Sequence, residues 1–287
     1  MKLSVAITSF NEEKNIERCL KSVKDLADEI VVVDEKSSDD TVKIAKKYTD
    51  KIFLVDHDPM FHKNKQKALD KCSNDWILQI DCDEEVTPEL ADEIKKMDYT
   101  ETAYKIPRKS KIFGKWMKYT GWYPDYQIKL VKKGKAHYPC KSVHEDMVID
   151  GEIGTLSGDL LHYHYSSVEQ FIDRMNRYNT DDVKFMQSKG ETVTWVDAIK
   201  FPADEFFKRF FYWEGYKDGL HGLVLSFLMS LNRLVVFAKL WEQQNFKEKN
   251  ISLNEFYLEV GKAAKDYKYW QIQVEKNPVK KLLMKII

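Results

Sequence analysis

Three strand-end segments in this sequence carry side chains that could do joint chemistry: Thr8-Ser9-Phe10-Asn11-Glu12, Asp34-Glu35 and Asp81-Cys82-Asp83. Acidic groups dominate them. Carboxylates pointed at one crevice repel one another unless a cation or a cationic substrate joins them. In extended backbone Asp81 and Asp83 project to the same side, which suits one hard divalent ion. Mg²⁺ or Mn²⁺ held this way keeps open positions for phosphate oxygens. A solvated acidic turn before a helix has the same look, so the meaning of the D-x-D rests on its position after a strand. The glycine-rich phosphate loops are missing, with neither G-x-G-x-x-G nor G-x-x-x-x-G-K-[ST] in the chain.

These segments sit where strands should end. Leu3 to Thr8 is a short apolar run, and Asn11 with Glu12 and Glu13 reads as the start of a helix carrying Ile16, Cys19, Leu20 and Val23 on one face. Glu29 to Asp34 contains Ile30-Val31-Val32-Val33, a strand buried on both faces. A helix capped within Ser37 to Asp40 follows, then a strand at Ile52 to Val55, a lysine-rich helix around Ala68, Leu69 and Cys72, and a strand at Trp76 to Ile80. Thr87-Pro88 opens another helix, with Thr as cap and Pro at the first position. Alternation of apolar strands with helices predicts a parallel α/β sheet, whose ligands bind beyond the carboxyl ends of the strands.

After Tyr99 the texture changes to short strand candidates (Ala103 to Ile106, Gln127 to Val131, Leu160 to Tyr165) among aromatic-rich loops. From Ser166 the chain reads helical, with Ser166 and Glu169 as a capping box. The expected division is therefore residues 1–165 as an α/β core and 166–287 as a helical C-terminal region. Leu220 to Trp241 is strongly apolar, but His221, Asn232, Arg233 and Lys239 interrupt it, so it is not expected to span a bilayer. Leu220, Leu223, Val224, Phe227, Leu231, Leu234 and Val235 fit one helical face.

The chain has 287 residues, with Lys+Arg and Asp+Glu balanced at 46 each, which argues against a dedicated nucleic-acid binder. The balance hides an asymmetry: from Lys200 onward there are 15 basic against 10 acidic residues. A basic, apolar and aromatic C-terminal third suits either a core-packed subdomain or peripheral contact with an anionic membrane. Four scattered cysteines without a C-x-x-C pair speak against a disulfide framework or a zinc site. A reducing cytoplasm is the expectation.

Taken together, Thr8-Ser9-Phe10-Asn11-Glu12-Glu13, Val31-Val32-Val33-Asp34, Ser37 to Thr41 and Trp76 to Glu84 resemble the family-2, GT-A-fold, inverting glycosyltransferases. Gly114-Lys115-Trp116, Gly121 to Asp125, Val143-His144-Glu145 and Leu161 to Tyr165 resemble the branch with bacterial lipopolysaccharide-core β-glucosyltransferases. The resemblance covers about residues 1–245 and implies a Rossmann-like, mostly parallel sheet flanked by helices, with a helical C-terminal appendage. It implies a UDP-sugar donor and a saccharide or glycolipid acceptor; the expected location is the cytoplasm, free or peripheral at the inner face of the bacterial plasma membrane. Thr8, Phe10 and Glu12 would line the nucleoside pocket, with Asp34 or Glu35 accepting hydrogen bonds from base or ribose; a strand-end carboxylate that only caps the next turn is the lesser alternative. Lys65 would meet phosphate, and Asp83, assisted by Asp81, would hold the metal. Glu145, with Asp146 as the second choice, would be the general base; Trp122 and Tyr123 would stack on a sugar. His144 and His162 could contact metal or phosphate. The chain departs from the branch at Cys82, at Glu35-Lys36 and at Lys129, where Arg is usual. A sugar-phosphate nucleotidyltransferase and a non-catalytic membrane-associated scaffold are the alternatives.

Overall fold

The computed structural model describes residues 2–58, 60–140 and 146–275 together with Pro278, Lys281 and Met284. Its contacts divide the chain into two compact units: residues 1–112 with 123–164, and residues 113–122 with 165–287. In chain order the elements begin β1 (Leu3–Ser9), α1 (Ile16–Val23), β2 (Glu29–Asp34), α2 (Thr41–Ala45), β3 (Ile52–Leu54), α3 (Phe61–Lys71), β4 (Trp76–Asp81), β5 (Glu84–Val86) and α4 (Pro88–Lys96). Then come β6 (Ala103–Ile112), β7 (Lys115–Trp116), β8 (Asp125–Lys132), β9 (Ala136–His137), β10 (Val148–Ile149), β11 (Ile153–Thr155) and β12 (Leu160–Tyr165). The helices α5 (Val168–Ser188), α6 (Asp197–Phe207), α7 (Leu220–Gln243) and α8 (Leu253–Val274) follow, with a π-helical turn over Lys208–Tyr212 and a 3₁₀ turn over Gly215–Asp218 after α6.

The first unit is built on a sheet of order β3-β2-β1-β4-β8-β6-β12-β5. Its N-terminal half is parallel (β3, β2, β1, β4), while β8 joins β4, and β6 joins β8, antiparallel. The parallel strands are apolar on both sides because helices cover both faces. Every residue of β2 is buried. One face packs Val5, Ile7, Val32, Leu78 and Ile80 against Ile16, Cys19, Leu20 and Val23 of α1; the other packs Ala6, Val31, Val33 and Ile77 against Ala68 and Leu69 of α3. Helix α4 begins as its sequence demands: Thr87 Oγ1 accepts from Leu90 N at 3.2 Å, and Pro88 occupies the first turn, where its missing N–H has no partner to lose. The register sets Thr8 beside Asp81 and Ser9 beside Asp34. The carboxyl ends of β2, β1 and β4 thus form one continuous edge.

Two caps fall elsewhere than the sequence predicts. Asn11 does not start α1; its φ is +54°, and Asn15 takes the cap position instead. Asn11 accepts from Ser38 N at 2.8 Å and donates its own N–H to Ser37 Oγ at 2.8 Å, so it ties two loops together. Asparagine tolerates this left-handed backbone better than most residues. At α5 the cap is Ser167, which accepts from Gln170 N at 3.1 Å, while Ser166 donates to Gln170 Oε1.

The second unit is helical, and residues 113–122 belong to it, which revises the division drawn at residue 165. The cause is a buried carboxylate. Asp218 accepts from Tyr119 N at 2.9 Å and Thr120 Oγ1 at 3.1 Å, and Arg209 donates to Thr120 O at 2.9 Å. Gly222 allows α7 to pass the preceding turn, because a Cβ there would lie 1.8 Å from Gly215 O.

Candidate functional site

The first unit holds a cleft of about 380 Å³ lined by α3, β4, β6 and β8, among whose residues are Lys65, Gln79, Asp81, Arg108, Lys129 and Asp146. Its floor is an ion network centred on Asp81. Lys65 Nζ lies 2.6 Å from Asp81 Oδ1, and Lys129 Nζ lies 3.0 Å from Oδ2. Lys129 also reaches Glu84 Oε2 at 2.7 Å, and Glu84 accepts from Asp81 N at 2.9 Å. Arg108 stands 3.5 Å from Glu84 Oε1 and holds Asp125 with two bonds of 2.9 and 2.6 Å. Burial works against the charge on Asp81, but Lys129 and Lys65 outweigh it and hold the carboxyl well below its ordinary range. Burial likewise pulls Lys65 and Lys129 down, and the carboxylates beside them raise both above the usual lysine value. Asp81, Lys65 and Lys129 are therefore ionised at neutral pH.

This geometry separates the two aspartates of the D-x-D. Asp81 has an ammonium on each oxygen and does not offer a free carboxylate to a metal. The backbone turns at Cys82 and Asp83 instead of continuing extended. Asp83 Oδ2 faces His162 Nε2 at 3.5 Å, and the other ring nitrogen of His162 meets Ser110 Oγ at 3.2 Å. A histidine anchored through one nitrogen with the other turned to a carboxylate fits a metal pair. Among the described residues no group of three or more His, Cys, Asp or Glu gathers as a metal site. Mg²⁺ needs no such group, since it is commonly held by one or two carboxylates plus substrate phosphates. Cys82, at the middle of the D-x-D, is buried, and its thiol donates to Thr8 O at 3.2 Å, bracing the turn against β1.

At the ends of β1 and β2 the predicted nucleoside residues separate into exposed and occupied groups. Asp34 is fully buried and accepts from Ser9 Oγ (2.7 Å), Ser37 N (2.8 Å) and Ser37 Oγ (2.7 Å), so it shapes the turn after β2. Glu35 is also buried, with Oε2 2.5 Å from His57 Nδ1. The His57 ring stacks on Phe10 at 4.7 Å, and Phe10 is 44% exposed. Glu12 anchors the next loop: its N–H donates to Thr41 Oγ1 at 2.7 Å and its carboxylate accepts from Asn15 Nδ2 at 2.7 Å. Thr8 is half-buried at the register position beside Asp81.

The base assigned by resemblance, Glu145, lies with His144 outside the described residues; Asp146 is exposed and lines the cleft. The predicted stacking pair divides between the units. Tyr123, in the first, donates to Asp159 Oδ1 at 3.0 Å. Trp122, in the second, meets Tyr165 edge-on at 6.3 Å beneath the Arg209 guanidinium at 5.3 Å. Residue-by-residue reading missed Arg108, Glu84 and His57. Glu84 hid inside an acidic run, and Arg108 lies on β6, whose alternation of buried and accessible positions extends well past the Ile106 end expected for that strand.

The profile of the family described as glycosyl transferase family 2 matches residues 4–147, which span the whole lining of the cleft. The chain belongs to this family, and its fold is the GT-A α/β fold with C-terminal helices. Relatives agree over nearly the full length. An uncharacterised glycosyltransferase of Rickettsia typhi is 30% identical, over 90% of this chain and 92% of the relative. The lipopolysaccharide core biosynthesis glycosyltransferase LpsC of Rhizobium meliloti is 27% identical, over 85% of this chain and 94% of the relative. Among solved structures, TarS 1-349 of S. aureus in complex with UDP is similar with a TM-score of 0.45 and 16% identity, covering 88% of this chain and 95% of that one. Family membership sets aside the nucleotidyltransferase alternative.

Proposed function

We propose that this glycosyltransferase is an inverting enzyme that moves a sugar, glucose by resemblance, from a UDP-sugar to a saccharide or glycolipid acceptor such as lipopolysaccharide core. The observation that carries the reading is the cleft itself: a lysine-clamped Asp81 at the carboxyl edge of the sheet, one turn before the facing pair Asp83 and His162. Full-length similarity to LpsC supports the acceptor class.

In this reading Thr8 and the exposed Phe10 face receive the nucleoside, with Glu35 oriented by His57 as the acceptor of its hydrogen bonds. Asp34 and Glu12 keep the two loops beneath it in place. Lys65 and Lys129, already charged, set the potential of the cleft where a diphosphate would lie, while Asp81 keeps both ammonium groups fixed. Asp83 and His162 would hold a divalent cation, which when bound neutralises charge growing on the leaving diphosphate. An acceptor hydroxyl must lose its proton as its oxygen attacks the anomeric carbon. Asp146, on the cleft wall, or Glu145 next to it in sequence takes that proton. Tyr123, in the same unit as the cleft, contacts a sugar.

The test is a donor panel of nucleotide sugars assayed for hydrolysis and transfer with Mn²⁺, Mg²⁺ or chelator, alongside thermal stabilisation by UDP. UDP-sugars are expected to stabilise the protein and to be turned over only with metal, and Asp83→Asn is expected to abolish the metal dependence of UDP binding. No stabilisation by any UDP-sugar would overturn the donor class. Activity indifferent to chelator would remove the metal, and nucleotide binding without turnover on any donor would favour a scaffold.

A further inference from the structure

Exposed apolar side chains are distributed unevenly between the two units. Of 24 large hydrophobic residues exposed among the described residues, 19 lie in the helical unit and 5 in the sheet unit. Seven exposed positions on α7 fall on one line: Leu220, Val224, Phe227, Leu231, Leu234, Ala238 and Trp241. Their spacing alternates four and three, so they form a single stripe down the helix. Its six large residues are between 37% and 73% exposed.

No charge breaks the stripe, because the polar residues that interrupt α7 in sequence turn to other helices. Arg233 lies over the Phe201 ring at 5.2 Å, and Lys239 donates to Asn176 O at 2.8 Å and Thr180 Oγ1 at 2.6 Å. By length and composition alone α7 meets the requirement for crossing a membrane, and 28% of its most apolar window is buried against the protein. A helix with one face packed on protein and the other mostly exposed meets a lipid surface along its side; on that exposed face Phe227 leans on Phe206 at 4.6 Å and Trp241 on Phe246 at 5.1 Å.

We propose that the exposed face of α7 is a membrane-docking surface that lies in the plane of an anionic lipid headgroup layer. Two quantities favour lipid over a second copy of this chain. At 1.5 Å per residue the stripe is about 33 Å long and about 10 Å wide, or about 330 Å², less than half of the roughly 800 Å² per partner in a stable protein pair. A lipid surface has no such threshold, since each inserted side chain contributes by itself. The charge is also complementary: residues from 200 onward carry 15 basic against 10 acidic side chains, whereas the preceding residues carry 31 against 36.

The experiment is sedimentation of the full chain with vesicles of phosphatidylethanolamine and phosphatidylglycerol, or of phosphatidylcholine alone, at low and high salt. The wild-type protein is expected in the pellet with anionic vesicles and largely in the supernatant with neutral ones. Leu220→Glu with Leu231→Glu should weaken anionic binding by more than about tenfold, since it puts two charges where apolar side chains would insert. Unchanged helical circular dichroism and unchanged thermal stabilisation by UDP would show that the variant is folded. Wild-type protein that ignores anionic vesicles at low salt, or a variant that pellets as well as wild type, would overturn the proposal. So would light scattering that finds a wild-type dimer and a monomeric variant, since a second copy would then cover the face. Equal binding to both vesicle types would remove the anionic preference. None of these outcomes bears on the donor reading, which the nucleotide-sugar panel decides separately.

Discussion

Replacing Lys129 by methionine keeps the length of the side chain and removes the charge that joins Asp81 to Glu84. In the native protein its ammonium lies 2.7 Å from one carboxylate and 3.0 Å from the other, and Glu84 is fully buried. With an effective dielectric constant near 20, the gross attractions are about 6 and about 5.5 kcal/mol, largely offset by the desolvation of all three ions. The loss on deletion is a different quantity. Glu84 would keep Asp81 N at 2.9 Å and the Arg108 guanidinium at 3.5 Å but lose its nearest cation, and removing one partner of a buried ion pair costs about 3–5 kcal/mol. For a protein of this size that corresponds to a fall of about 10 °C in melting temperature, read by scanning calorimetry. The discriminating arm is the double variant Lys129→Met with Glu84→Gln. It removes both charges and is expected to recover more than half of the loss, because burying a neutral amide is far less costly than burying a carboxylate that has lost its nearest cation. A single-variant shift under about 2 °C, or a double variant less stable than Lys129→Met alone, would refute the argument that Glu84 depends on Lys129 for its charge.

Two further outcomes follow from the same structure. Glu29 is buried at the start of β2; burial raises its pKa, but bonds from Lys51, Ser4 and Ser73 overcome this and lower it to about 2 from an ordinary 4.5. Its contribution, about 3 kcal/mol, is complete above pH 4.5 and is lost as pH falls toward 2, so Glu29→Gln should flatten the acid limb of a stability-against-pH curve and leave its neutral shape unchanged. Asp34→Ala strands three donors, from Ser9 and Ser37, and should cost about 2–4 kcal/mol while weakening UDP binding through the displaced turn; a variant that binds UDP normally would show that the turn after β2 does not shape the nucleoside site.

Much of the first unit was readable without coordinates. Ile30 to Val33 could only be a strand buried on both faces, and Thr87-Pro88 could only open a helix, because burial and capping act over a few residues. The strand ends carrying Thr8, Asp34 and Asp81 were legible for the same reason, since parallel strands deliver their carboxyl ends to one edge. The partnership of the charges was not. Lys65 on α3, Arg108 on β6 and Lys129 on β8 come from stretches of chain 43 and 21 positions apart, and only the antiparallel joining of β8 to β4 and of β6 to β8 brings Lys129 and Arg108 onto Asp81 and Glu84. Pattern and propensity are local, whereas the pairing of ions depends on which distant strands become neighbours. That choice also made Asp81 a clamped anchor and left Asp83 facing His162, a distinction that two aspartates one residue apart could not express in sequence.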